Sequence, residues 1–217
     1  MLTRRLVLLA TAGAPLAACN TIPNPPAPSL TSDPELAAWY VGSKPDKPYD
    51  IPLVDKTKID AQFRRQTVAY KGPEAKGTIV VDIDARMLYL VNGDGTAERY
   101  GAGVGRQGFS WRGRAYVGRK AVWPDWSPTS TMVRIKPELP RFLEAGLDNP
   151  LGARAMYLYQ GGRDILFRIH GTNEPWSIGE QVSSGCIRLL NEDVADLYEK
   201  VPVGTNVLVK RNGVYRV

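Results

Sequence analysis

The chain has 217 residues, 43% of them hydrophobic and 23% charged. That is ordinary for a globular protein and sufficient for one catalytic domain plus extensions. Seventeen prolines and 21 glycines favour short strands, turns and loops over long helices. The net charge of +6 suits an acidic partner, yet no Lys/Arg-dense run marks a nucleic-acid surface.

The first 18 residues read as a segment outside the fold. Arg4 and Arg5 form a positive start, and residues 6–18 are apolar but too short to span a bilayer as a helix. The run ends in Leu16-Ala17-Ala18-Cys19. Small residues before a cysteine resemble a lipobox, in which the cysteine is lipidated and becomes the mature N-terminus. The expectation is a signal peptide over 1–18 and a lipidated Cys19. The result is an exported, periplasmic protein anchored to the outer rather than the inner membrane. Residues 21–52 hold eight of the 17 prolines and read as an extended tether. Residues 19–76 are thus anchor, tether and lead-in, with a short helix near 34–40.

The catalytic domain is expected over 77–217. Residues 59–70 are ambiguous between helix and strand. Residues 78–84 and 87–91 read as strands, Asn92-Gly93-Asp94-Gly95 as a hairpin turn, and 96–100 as the returning strand. Further strands are expected at 115–123, 155–159 and 165–170, the last two around Gly161-Gly162. Between them, residues 124–150 read as loop, with a short helix at 141–145. One helix is clear. Asn191 is placed to cap it, Glu192 and Asp193 suit its first turn, and Val194, Leu197, Tyr198 and Val201 recur on one face. Pro202 and Gly204 end it, and residues 206–210 and 214–217 read as final strands. The sum is a mainly β domain with one or two short helices.

Two residues stand out chemically. His170 is the single histidine, so it alone can act as an imidazole base. It falls where a strand gives way to Gly171-Thr172. The chain has two cysteines, Cys19 and Cys186. If Cys19 carries lipid, Cys186 is a free thiol in an oxidising compartment, which suggests use as a nucleophile. A thiol near its usual pKa of about 8.5 needs a base to ionise at neutral pH. Gly185 lets the chain turn tightly beside the sulfur. Main-chain N–H groups at that turn can hold an oxyanion. Arg188 can grip a substrate carboxylate with two donors. One histidine and one free cysteine make a poor zinc site, so no metal and no cofactor are expected. Gly103-Val-Gly105-Arg-Gln-Gly108 matches a dinucleotide fingerprint but lacks the helix pattern that such a site needs. Trp111, Trp123, Trp126 and Trp176 are candidates for a substrate groove, with at least two expected in the core.

Together, His170-Gly171-Thr172-Asn173, Ile178-Gly179, Ser183-Ser184-Gly185-Cys186-Ile187-Arg188, Asn191-Glu192-Asp193 and Val203-Gly204-Thr205 resemble the L,D-transpeptidase (YkuD-type) catalytic domain. Asn149-Pro150-Leu151-Gly152 and Gly103-Val-Gly105 extend the resemblance upstream. It implies a β-sandwich-like fold and acyl transfer on peptidoglycan stem peptides, with release of D-alanine. It makes Cys186 the nucleophile, His170 the base and the Gly171 carbonyl the group that orients the imidazole. Arg188, Ser184, Gly185 and Trp176 are the expected substrate-binding residues. Many family members carry a histidine where Ser184 stands. The acyl acceptor stays open: a second stem peptide, an outer-membrane protein, or water, the last giving carboxypeptidase or endopeptidase activity. A catalytically silent peptidoglycan-binding lipoprotein is the reading from a different class.

Overall fold

A computed structural model describes residues 34–106, 111–183 and 185–211. The expected leader, Cys19, Ser184 and the strand at 214–217 lie outside the described residues.

The described residues open with a four-residue helix α1 (Pro34–Ala37), then β1 (Tyr40–Lys44) and β2 (Ile51–Val54), which pair antiparallel. After two 3-10 turns come β3 (Gln66–Ala69), β4 (Ile79–Asp82), β5 (Met87–Val91), β6 (Thr96–Gly101) and the short β7 (Val104–Gly105). Then follow β8 (Gly113–Val122), α2 (Ser130–Ile135), β9 (Arg154–Gln160) and β10 (Arg163–His170). The described residues close with β11 (Gln181–Ser183), β12 (Ile187–Arg188), α3 (Asn191–Lys200) and β13 (Asn206–Lys210). The described residues are mainly β, with three short α-helices rather than one or two.

Nine strands form one mixed sheet in the order β12-β10-β9-β8-β13-β4-β5-β6-β3. Its two ends meet in one core. Ile187 of β12 and Ile169 of β10 share a buried cluster with Leu88 of β5 and Tyr100 of β6. The sheet therefore curls to face itself, which is the physical content of a sandwich-like fold. β4 reads Ile-Val-Val-Asp and is buried on both faces. Ile79 and Val81 enter the main core, while Val80 turns to a second cluster with Val91 and Leu208. The two-residue period of a strand sends neighbours to opposite faces. Full burial of one such side chain contributes about 1.5–3 kcal/mol. β7 and β11 form a separate parallel pair. Gly103 bridges it to β12, since its N–H donates to the Arg188 carbonyl (2.9 Å) and its carbonyl accepts from the Arg188 N–H (2.8 Å).

The lead-in is not a tether up to Pro52. From Tyr40 onward it is a strap against the domain. Asp46 accepts two bonds from Arg154 (2.7 and 2.8 Å) and one from the Trp123 indole N–H (2.8 Å). Ile51 packs with Trp123, Ala153 and Ala195. The Val54 N–H donates to Glu192 at the start of α3. Apolar residues at 51, 54, 59 and 63 give the strap a buried side, and the proline density hid that pattern.

One ambiguity resolves and two local expectations need correction. Residues 59–70 resolve into a 3-10 turn (Ala61–Phe63) and strand β3. The helix expected at 141–145 is absent, because Leu143 and Trp126 exchange both main-chain bonds across an extended bridge. The helix in this region is α2, capped by the Thr129 hydroxyl on the Met132 N–H. Asn191 is the first residue of α3 and not its cap; Leu190 holds the cap position without a side-chain bond. The Asn191 amide is used elsewhere, as described below.

Candidate active site

His170 ends β10 and Arg188 ends β12, and these strands pair parallel, with Ile169 beside Ile187 and His170 beside Arg188. Ile169 and Ile187 point into the core, so His170 and Arg188 point to the other face. Continuing that register by one residue sets Cys186 beside Arg168, also on the face of His170. With strands about 4.8 Å apart and a rise of about 3.3 Å per residue, the Cys186 and His170 Cα atoms are roughly 8 Å apart on one face. That is within reach for a thiol and an imidazole.

The turn after His170 is held from beneath. The Asn191 Oδ1 accepts from the Ala153 N–H (2.9 Å), and its Nδ2 donates to the Thr172 carbonyl (2.9 Å). A Cβ on Gly171 would stand 2.2 Å from that Oδ1, and one on Gly152 2.1 Å from it. Both glycines permit this close approach. The Leu189 N–H donates to the His170 carbonyl, and the Gly171 N–H to the Arg154 carbonyl. Asn149 fixes the neighbouring loop by donating to the Pro124 and Glu144 carbonyls and accepting from the Leu151 N–H.

The imidazole is 4% exposed. Its Nδ1 lies 2.6 Å from the Gly171 carbonyl oxygen. A carbonyl only accepts, so Nδ1 carries the proton and Nε2 keeps its lone pair. Burial, then the Arg188 charge, pushes the imidazole pKa down to about 3; the Gly171 carbonyl opposes this, the Arg168 charge adds to it, and the Pro150 carbonyl opposes. The ring is therefore a neutral acceptor at physiological pH. Burial pushes the Cys186 thiol up, opposed by the Arg168 main-chain N–H and by the charges of Arg168 and Arg188. The resting pair is thus thiol and neutral imidazole.

Arg188 is paired with Glu174. Glu174 follows Thr172, whose hydroxyl accepts its N–H (3.0 Å). Gly185 takes a φ of +127°, the conformation that favours glycine beside the sulfur. Trp176 is 48% exposed and packs against Trp39 of the lead-in with ring centroids 5.9 Å apart. Trp123 is buried and Trp111 packs on the main core. Ser184 and Cys19 are outside the described residues. Gly103 and Val104-Gly105 lie in sheet contacts with β12 and β11, not at the start of a helix as a dinucleotide site requires.

The sequence reading did not single out Arg168, Asp164 or Glu174. Arg168 was findable: two residues before His170 on a strand, it must share the histidine's face. Asn191 was read only as a cap.

A mainly β scaffold sets a thiol, a carbonyl-anchored imidazole and an arginine on one sheet face, the groups that cysteine acyl transfer would call on. Residues 76–209 match the YkuD L,D-transpeptidase catalytic domain, and the chain belongs to that family. The probable L,D-transpeptidase YbiS of Escherichia coli K12 is 41% identical over 140 residues, covering 61% of this chain and 44% of that protein. The probable L,D-transpeptidase ErfK/SrfK of the same organism is 39% identical over 142 residues, with 62% and 44% covered. The chain thus spans less than half the length of these relatives. A crystal structure described as a probable carnitine operon oxidoreductase from Brucella melitensis is 47% identical, covering 72% of this chain and 99% of that one, with a TM-score of 0.48.

Proposed function

We propose that the protein is a peptidoglycan L,D-transpeptidase with Cys186 as nucleophile and His170 as general base. The observation that carries this is the shared sheet face of the thiol and an imidazole whose Nδ1 is committed to the Gly171 carbonyl (2.6 Å). Nε2 takes the thiol proton as sulfur attacks the carbonyl carbon before the terminal D-alanine of a stem tetrapeptide. The tetrahedral oxyanion collapses, the C–N bond breaks, and D-alanine leaves as an amine with the imidazolium proton. A thioester remains on Cys186. An acceptor amine, relieved of a proton by Nε2, then displaces the thiolate.

Arg188 is the carboxylate clamp in this scheme. Its Glu174 partner has a side chain 45% exposed, so a substrate carboxylate can exchange for it. Trp176, exposed beside Glu174, supplies an apolar wall for the bound peptide. The donor is a stem peptide. The acceptor is a diamino-acid amine of a second stem peptide or an amine of an outer-membrane protein.

Mass spectrometry of stem-peptide reactions tests the reading. The wild-type chain should release D-alanine and form product, while Cys186→Ala should form none. Equal product from both proteins would overturn the assignment. A carbapenem should add its mass to the Cys186 peptide, whereas a silent wall-binding module would show no adduct.

The N-terminal pattern of Arg4, Arg5 and Leu16-Ala17-Ala18-Cys19 supports export and lipid anchoring at Cys19 in the outer membrane. Fatty-acid labelling of wild type and Cys19→Ala, followed by membrane fractionation, tests this. Label retained by the variant would refute it. Muropeptide analysis of a deletion strain separates the acceptors, since lost diamino-acid cross-links and lost wall-bound protein are different products.

A further inference from the structure

β10 departs from regular pairing with β9 between Asp164 and Arg168. Leu166, in that interval, takes a φ of +62° and is exposed. A branched side chain in that conformation needs outside support. Asp164 provides it. Its Oδ1 accepts from the Leu166 N–H (2.8 Å) and from the Arg168 Nη1 (2.9 Å), and its Oδ2 accepts from the Arg168 Nη2 (3.1 Å). Nη1 also donates to the Phe167 carbonyl. The Arg168 guanidinium lies 4.5 Å from the Tyr157 ring centroid, a ring that also carries Arg119 at 3.5 Å. Its side chain is only 16% exposed.

This irregular segment ends opposite the candidate nucleophile. Extending the β10–β12 register by one residue brings Arg168 beside Cys186, and the Arg168 main-chain N–H donates to the sulfur. Several guanidinium donors are spent on Asp164 and Phe167, so Arg168 has little left to fork onto a substrate carboxylate. What it gives the site is a fixed charge and a fixed main-chain donor. We propose that Arg168, locked in place by Asp164 and Tyr157, is a positioning residue that supports the Cys186 thiolate from beneath, alongside Arg188. The inference rests on Cys186 being the nucleophile.

The charged and titratable groups at the sulfur are Arg168 and Asp164 from β10, His170 at the end of that strand, and Arg188 from β12 with Glu174 behind it. Arg168 and Arg188 favour the thiolate, and Asp164 disfavours it. Removing the Arg168 charge while keeping its main-chain N–H therefore raises the pH at which the thiol ionises.

The test is the pH dependence of Cys186 alkylation by iodoacetamide in the full chain, read as modified Cys186 peptide by mass spectrometry. Arg168→Met should shift the midpoint to higher pH and slow alkylation at pH 7.5 by about three- to tenfold, a shift of roughly 0.5–1 unit. Arg168→Lys should restore the wild-type midpoint, which a purely structural role would not require. Should Arg168→Met fail to fold, Arg168→Gln is the neutral variant. A folded neutral variant with the wild-type midpoint would overturn the proposal. The nucleophile reading fails separately, if Cys186→Ser still turns over stem peptide.

Discussion

The Nδ1 of His170 and the carbonyl oxygen of Gly171 are 2.6 Å apart, so the residue that follows the histidine fixes its tautomer. In a serine triad a carboxylate does this. Here the partner is a main-chain dipole, which orients the ring without adding a negative charge to hold an imidazolium. That agrees with an imidazole pKa of about 3. Two arginines add positive charge, and burial removes the water that would stabilise the cation.

The acid limb of the activity profile should therefore not come from His170. kcat/KM in the free protein should show no inflection near 6.5, because the ring is already neutral there and able to take the thiol proton. His170→Gln should lower kcat/KM by about 10²–10⁴-fold. The same burial affects stability. The folded imidazole titrates near 3 and the unfolded one near 6.5, so the unfolded chain binds the extra proton between those values. Stability should fall as pH drops from about 6.5 towards 3. In His170→Gln that part of the loss should disappear, as urea melts at pH 7 and pH 4.5 would reveal.

Asp193 carries the opposite sign. It is 1% exposed, its Oδ1 has no hydrogen-bond partner, and the Arg65 Nε is 3.5 Å away. Burial pushes its pKa up to about 6 from 3.8, against the pull of Lys56 and with the repulsion of Glu192. A carboxyl with a raised pKa stabilises the fold below its unfolded value, and that contribution fades as pH rises through 6. Asp193→Asn should raise the melting temperature at pH 7.5, where the wild-type penalty is on the order of 3 kcal/mol. At pH 3.5 the gain should be small. An equal gain at both values would rule out titration as the cause.

Asp46→Ala should destabilise the protein through the strap. It strips both partner oxygens from Arg154, whose side chain is 7% exposed, and leaves a buried unpaired charge. Breaking such a pair costs about 3–5 kcal/mol. Asp46→Ala with Arg154→Met should recover part of that loss, and a double-mutant cycle by denaturant unfolding measures the coupling.

Asn191→Ala should damage the site from behind. It removes the partners of the Ala153 N–H and the Thr172 carbonyl at once, and each unsatisfied buried group costs about 1–3 kcal/mol. The turn that bears Gly171 loosens with it. kcat should fall more than KM rises, because the proposed carboxylate clamp, Arg188 with its partner Glu174, is untouched. An unchanged kcat in a folded variant would separate Asn191 from the base.

The parts of the fold read from the sequence are those that local physics decides. The hairpin at Asn92–Gly95 formed as expected, with the Asn92 N–H on the Thr96 carbonyl. Helix α3 formed where Val194 and Leu197 recur, and both are buried. Strand-end chemistry at His170 was visible because the chain offers no second imidazole. Long-range use of a side chain was not visible. Asn191 looks like a helix cap in isolation, yet contacts β9 and the histidine turn instead. Proline density at 21–52 suggested a tether, while Asp46 and Ile51 answer to Arg154 and Trp123, about a hundred residues away in sequence. The lock of Asp164 on Leu166 and Arg168 was not legible, because nothing local announces a bulge.

β13 is the seam of the large sheet. It runs parallel to β4 on one side and antiparallel to β8 on the other, so without it β12-β10-β9-β8 and β4-β5-β6-β3 are two separate half-sheets. Yet β13 follows every other strand of that sheet in the chain, so the ribosome makes it after them. An emerging chain can zip β4, β5 and β6 early, but it cannot join the halves until β13 has emerged. Until then Cys186 and His170 sit in one half, while Leu88 and Tyr100, which complete the core beneath them, sit in the other. The order of translation thus keeps the sheet of the nascent chain open, and the core beneath the reactive pair incomplete, until its final strand has been made.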